Sequence, residues 1–208
     1  MVVGFLATMP AWMHSSDEDR QHLEHTAVKQ MVEKNVGLLD IRPEEKAQLR
    51  KMLEPVTPAK KETDFEQLVW VKDIIHTITP WVPDRREAET IAARVYANAK
   101  RFNLSPELVL GVIAVESRFD HFAVSNVGAI GLMQVMPFWK KELGHADDNL
   151  LNIDTNIRYG CAILRHYLDR YKRLDRALAA YNGSLGHRRY PDKIFAAMKQ
   201  FKAVNSGA

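Results

Sequence analysis

One cysteine, Cys161, stands among 208 residues, so no intramolecular disulfide can form and neither an oxidising nor a reducing compartment is required. It lies in a helical pattern beside Ile163 and Leu164, where a free thiol serves as a small buried apolar group rather than a nucleophile. Long apolar runs are also missing. Residues Val2 to Trp12 are apolar but too short to span a bilayer, and no Lys or Arg precedes them as a secretory signal requires. They read as a signal remnant, a clipped start or an interfacial anchor, and with no cysteine nearby a lipid-modified one is not expected. Alternating strand patterns, internal repeats and low-complexity tracts are absent. The net charge is only +3, with basic and acidic residues interleaved, which gives no footprint for nucleic acid. The eight histidines show no metal-ligand spacing.

What remains is the composition of a folded helical protein, 46% hydrophobic and 26% charged, which indicates neither disorder nor a membrane bundle. Leu23, Ala27, Met31 and Val32 recur at helical spacing between Asp17 and Asn35. Pro43 with Glu44 and Glu45 opens a helix running to Leu53. The proline- and lysine-rich stretch from Glu54 to Thr63 reads as a linker or exposed loop. Leu68, Val71, Ile74, Ile75 and Ile78 form another helix face, ended by Pro80 and Pro83. Asp84 and Glu87 suggest a capping box before a stripe of Ile91, Val95, Ala99 and Phe102. Ser105-Pro106-Glu107 starts the next helix. Further helices are expected from Asp154-Thr155-Asn156 to Tyr171, from Leu174 to Tyr181 and from Ile194 to Val204, with a small hairpin or irregular loop near 122–130. The fold class is mainly α, with residues 1–83 an N-terminal helical region of unassigned role and 84–208 the functional domain.

The helix from Leu108 to Phe119 is apolar nearly all round until Glu116. A carboxylate in apolar surroundings must be paired or be pushed towards its neutral form, and a Glu held near neutrality suits an acid that protonates a leaving oxygen. From spacing alone two readings stand level: that acid, or a buried ion pair with Arg118 or Arg94. Gly128 and Gly131 sit three apart where the chain turns into a short helix, and glycine permits close backbone approach to a ligand. Asn182 and Gly183 end a helix and suit a cap, while Tyr181 suits a sugar subsite or a core edge. His187-Arg188-Arg189 reads as a solvated turn in preference to a contact for peptide stems.

Read together, Glu116-Ser117-Arg118-Phe119, Ala123-Val124-Ser125 and Gly128-Ala129-Ile130-Gly131-Leu132-Met133-Gln134-Val135-Met136-Pro137 closely resemble the signature of the soluble lytic transglycosylase domain. Asn156-Ile157-Arg158-Tyr159-Gly160 and Ala177-Leu178-Ala179-Ala180-Tyr181-Asn182-Gly183 resemble that family's two later motifs. The resemblance runs from Arg94 to Phe195, about half of the chain. It implies a goose-lysozyme-like, mainly α-helical catalytic domain. Carried over residue by residue, it makes Glu116 the catalytic acid/base and places Ser125, Met133, Gln134, Tyr181 and Asn182 along the glycan groove. Asn182-Gly183-Ser184-Leu185-Gly186 departs from the Asn-Ala-Gly-Pro-Gly of many relatives.

The implied reaction is cleavage of the bond between N-acetylmuramic acid and N-acetylglucosamine in peptidoglycan, with no metal and no cofactor, leaving 1,6-anhydromuramyl ends. The implied place is the periplasm or cell envelope, and the N-terminal helices can cover the groove or bind an envelope partner. One rival is a lysozyme-like hydrolase drawing a second carboxylate from Asp120, Asp147, Asp148 or Asp154. The other is a non-cleaving glycan-binding module for envelope assembly.

Overall fold

A computed structural model describes residues 41–54, 65–145 and 147–202. Among these residues there are eight helices: α1 (Pro43–Leu53), α2 (Phe65–Ile78), α3 (Arg85–Arg101), α4 (Pro106–Glu116), α5 (Pro137–Leu143), α6 (Ile153–Tyr171), α7 (Leu174–Tyr181) and α8 (Arg189–Lys202). The mainly α architecture expected from the sequence is the one observed. The amphipathic stretch from Asp17 to Asn35, the apolar start and most of the proline-rich loop lie outside the described residues. The described residues from Arg42 onward belong to one compact unit.

Caps explain where several helices begin. The Asp84 carboxylate accepts from the Arg86 and Glu87 amides at 2.7 and 3.2 Å, while the Glu87 side chain lies 2.6 Å from His121 Nδ1. Ser105 Oγ accepts from the Leu108 amide at 3.2 Å, with Pro106 in the first turn where no donor is required. Two starts differ from expectation. The cap of α6 is Asn152, which accepts from the Thr155 amide at 3.1 Å; Asp154 falls in the first turn, and Asn156 is buried for another purpose. The last helix begins at Arg189, five residues ahead of Ile194, because Pro191 fits the first helical turn.

A third difference bears on the site. The helix carrying Glu116 stops there and does not continue to Asp120: Arg118 and Phe119 take left-handed backbone conformations, with φ of 53° and 67°. That cost at a bulky residue is offset by burial, since Phe119 is sealed among Trp81 and Phe201, with ring centroids 5.6 and 6.1 Å away.

α4 and α8 form the most extensive helix pair among the described elements. Gly111 makes this possible: a β-carbon there would stand 2.9 Å from Met198 Cγ and 3.3 Å from the Ile194 carbonyl oxygen. α6 packs against α1, α3 and α7, and α2 packs on α3, so the helices before Asp84 share this body. Residues 122–136 form an irregular turn held by antiparallel bridges from Ile130 to Val124 and to Val135. This is the small hairpin-like loop expected near Phe122 to Ile130, extended by six residues.

Candidate active site

α4 is buried from Leu108 to Ile113, which leaves Glu116, at its last turn, to emerge beside α8. The close approach at Gly111 and the antiparallel run of the two helices bring the first turn of α8 over this carboxylate. The Tyr190 hydroxyl donates to Glu116 Oε1 at 2.5 Å. Burial pushes the Glu116 carboxyl up from the ordinary 4.5 to about 7, and the Tyr190 hydrogen bond opposes that rise. No cation pairs with Glu116 among the described residues. Arg94 lies 3.6 Å from Asp154 instead, and Arg118 is turned out to solvent by its left-handed backbone. Of the two readings open at the sequence level, the ion pair with Arg118 or Arg94 is not formed.

The loop of 122–136 is fixed to the end of α4 and to α6. Ser117 Oγ donates to the Leu132 carbonyl at 2.8 Å. Asn156 is a buried hub: its amide nitrogen donates to the carbonyls of Ile130 and Leu150, each at 2.8 Å, and its oxygen accepts from the Met133 amide at 2.8 Å. A β-carbon at Gly131, whose φ is +75°, would meet that amide nitrogen at 2.4 Å, so the glycine is demanded by both conformation and space. One at Gly160 would meet Met133 Sδ at 2.4 Å. Gly131 and Gly160 thus serve packing of the loop on α6, whereas at Gly128 a β-carbon would meet nothing within 4 Å and only the φ of +82° favours glycine.

Each residue placed in the groove by sequence has a definite position. Met133 is fully buried, its side chain packed on Gly160; its carbonyl accepts from the Tyr181 hydroxyl at 2.7 Å. Tyr181 is therefore a strut between α7 and the loop, and burial raises its phenol well above the ordinary 10. Gln134 has φ of 48° and donates from Nε2 to the carbonyls of Ala123 and Gly131 at 3.2 and 3.1 Å. Ser125 Oγ accepts from the Ala129 amide at 3.0 Å, pinning the turn. Asn182 is exposed and lines the same cleft as Glu116.

That cleft has a volume of about 490 Å³ and is lined by Val115, Glu116, Asn182, Ser184, His187, Arg189, Tyr190 and Lys193. Among the described residues Glu116 is its one lining carboxylate. None of the other candidate acids is among the residues lining the cleft, and three of them are engaged elsewhere, Asp154 with Arg94 at 3.6 Å. Asp120 turns the chain by accepting from the Phe122 amide at 2.8 Å. Asp148 accepts from Arg158 at 3.2 Å and from the Tyr159 hydroxyl at 2.6 Å.

Comparison with known proteins was decisive about the family. The model of the transglycosylase SLT domain matches residues 94–202, more than half of the chain. The chain belongs to the transglycosylase SLT domain family. It is 40% identical over 113 residues to a transglycosylase of Enterobacteria phage PRD1, covering 51% of this chain and 40% of that protein. It is 40% identical over 82 residues to membrane-bound lytic murein transglycosylase C of Actinobacillus pleuropneumoniae, covering 35% of this chain and 22% of that one. It is 38% identical over 102 residues to membrane-bound lytic murein transglycosylase F of Desulfosudis oleivorans, covering 46% and 22%. The chain thus spans less than half the length of these relatives.

Within the SLT domain, sequence reasoning did not single out Tyr190, Lys193 or Ser184. One signal was available for Tyr190: it shares a helical face with Ile194, Met198 and Phe201, so its ring had to be buried and its hydroxyl had to find a partner. The turn at His187-Arg188-Arg189 is divided in its use. Arg188 meets Asp192 at 3.2 Å and Asp175 at 3.6 Å, whereas His187 and Arg189 face the cleft.

Proposed function

We propose that this chain is a lytic transglycosylase that cuts the peptidoglycan strand between N-acetylmuramic acid and N-acetylglucosamine, with Glu116 as the single acid/base. One observation carries the proposal: among the described residues Glu116 is the cleft's one lining carboxylate and has no cationic partner, and burial holds it to about 7. A carboxyl balanced there can give a proton and take one back at neutral pH.

In the proposed reaction, protonated Glu116 donates to the bridging glycosidic oxygen as that oxygen's bond to the muramic C1 breaks. The acetamido group of the same sugar stabilises the positive charge at C1. The Glu116 carboxylate then accepts the proton of the muramic 6-hydroxyl, whose oxygen bonds to C1 and closes a 1,6-anhydro ring without water. Tyr190 steadies the carboxylate in the second half. Asn182 lines the cleft beside Glu116, while Ser125, Gln134 and Tyr181 hold the loop of 122–136 in place.

An inverting or retaining hydrolase needs a second carboxyl across the sugar, and the engagement of Asp120 and Asp148 in turns and buried bonds argues against either. The substrate places the enzyme at the cell envelope. No helix among the described residues is long and apolar enough to cross a membrane. The test is digestion of purified sacculi with products weighed by mass spectrometry. Termini one water lighter than the hydrolytic product are expected; reducing ends alone would leave a hydrolase, and no cleavage would leave a binding module.

A further inference from the structure

The cleft beside Glu116 has a basic wall that the acid/base chemistry does not use. Arg189 and Lys193 stand one turn apart on α8, both exposed, and His187 lies just before them. Neither Arg189 nor Lys193 has an ion-pair partner among the described residues, whereas Arg188, on the same turn but outside the cleft lining, is spent on Asp175 and Asp192. Nor do they serve the catalytic carboxyl: the influences on Glu116 are its burial and the Tyr190 hydroxyl. Two cations held at the rim of a substrate cleft without an internal anion raise the local concentration of anions and can pair with one that enters.

We propose that Arg189 and Lys193 are specificity-determining residues that bind a carboxylate carried by the muramic acid unit next to the scissile bond. This rests on the peptidoglycan reading given above. A muramic acid unit offers carboxylates from two sources. With a stem peptide attached, its lactyl group is an amide and the peptide supplies the carboxylates; without the peptide, the lactyl carboxylate itself is free. Glucosamine units offer none, so a carboxylate contact on one side of Glu116 would set the register of the strand. It would place a muramic rather than a glucosamine C1 over the acid.

The test is binding measured in the Glu116→Gln background, which keeps the strand uncut and separates recognition from chemistry. Soluble glycan fragments bearing stem peptides, the same fragments stripped of peptides by an amidase, and fragments whose carboxylates have been converted to amides are the three probes. Adding Arg189→Gln and Lys193→Gln together is expected to weaken binding of a carboxylate-bearing fragment about fivefold to tenfold, the scale of two partly exposed charge contacts, and to leave the amidated fragment unchanged. Loss confined to the peptide-bearing fragment assigns the stem, and loss on the stripped fragment assigns the lactyl group. Equal loss on the amidated fragment, or no loss on any, overturns the proposal. Both residues are exposed, and a thermal melt of each variant checks the fold. Failure of the parent enzyme to cut sacculi would instead strike the transglycosylase reading, whatever the binding result.

Discussion

At the scale of the residue, the proposed chemistry turns on how the fold treats Glu116. Its carboxyl is raised from 4.5 to about 7 by burial, so between those values the folded protein holds a proton that the unfolded chain releases. Stability must therefore fall as pH rises through that window, by about 2 kcal/mol in all once partial solvent access is allowed for. Glu116→Gln should remove this slope: equal stability to the parent near pH 4, greater stability above pH 7, and no cleavage at either. Thermal melts across pH, run beside sacculus digestion, check both. A folded, fully active variant would reject Glu116, and a variant destabilised at pH 8 would reject the burial argument. Tyr190 acts on the same group with the opposite sign. Its hydroxyl favours the ionised carboxylate, so Tyr190→Phe should raise the Glu116 value and move the alkaline limb of kcat/KM upward by about one pH unit, the worth of a hydrogen bond to a charged group. An unmoved limb would make the contact structural only.

At the scale of the element, the site exists because two helices approach closely enough. Gly111 is the point of closest approach, and the turn from Gly111 to Glu116 matches the stretch of α8 from Ile194 back to Tyr190. A valine at 111 would press on the Ile194 carbonyl as well as on Met198, and backbone cannot swing aside as a side chain can. Gly111→Val should cost about 1–3 kcal/mol by overpacking and lift Tyr190 from Glu116. The expected signature is a fall in kcat per folded molecule together with the upward limb shift of Tyr190→Phe, read from pH profiles and a denaturant midpoint. Unchanged kinetics in a destabilised variant would show that α8 yields elsewhere. This pairing also marks what the sequence could and could not disclose. Ser105-Pro106 and the apolar run behind them announced α4 and its carboxylate, because capping and burial are local in sequence. The partner of that carboxylate lies 74 residues away, and only packing across Gly111 joins them. Asn156 misled for the same reason: beside Asp154-Thr155 it resembled part of a cap, whereas its use is to hold a loop more than twenty residues earlier in the chain. Likewise Met133 and Tyr181 were both singled out in the sequence, but not the contact that joins them, in which the Tyr181 hydroxyl donates to the Met133 carbonyl.

At the scale of the whole molecule, the question is whether the helices ahead of the SLT match belong to the same folded body as the SLT domain. α1 and α2 precede residue 94, where the family match begins, and the sequence suggested a boundary near Asp84. Yet Leu49 and Leu53 on α1 are each 1% exposed, and α1 packs against α5 and α6. Polar contacts fasten the same seam. Lys46 reaches the Glu142 carboxylate at 2.8 Å, Arg50 donates to the Glu142 carbonyl at 2.9 Å, and Arg101 donates to the carbonyls of Met52 and Glu54, each at 2.7 Å. The exposed ion pair contributes little by itself, but the two buried leucines contribute on the scale of the whole stability of a domain. Leu49→Ala should then cost about 2–5 kcal/mol, a large fraction of the ~5–15 kcal/mol available to a folded domain. Because α1 lies on α6, the helix that carries Asn156 and Gly160 beneath the loop, the loss should move one cooperative transition as a whole. Calorimetry with activity followed in parallel decides the matter: a single shifted transition, with loss of cleavage tracking loss of heat absorption, is expected. Two transitions, of which only the lower moves while cleavage survives to the upper, would make the helices before Asp84 a separate appendage and restore the boundary the sequence suggested.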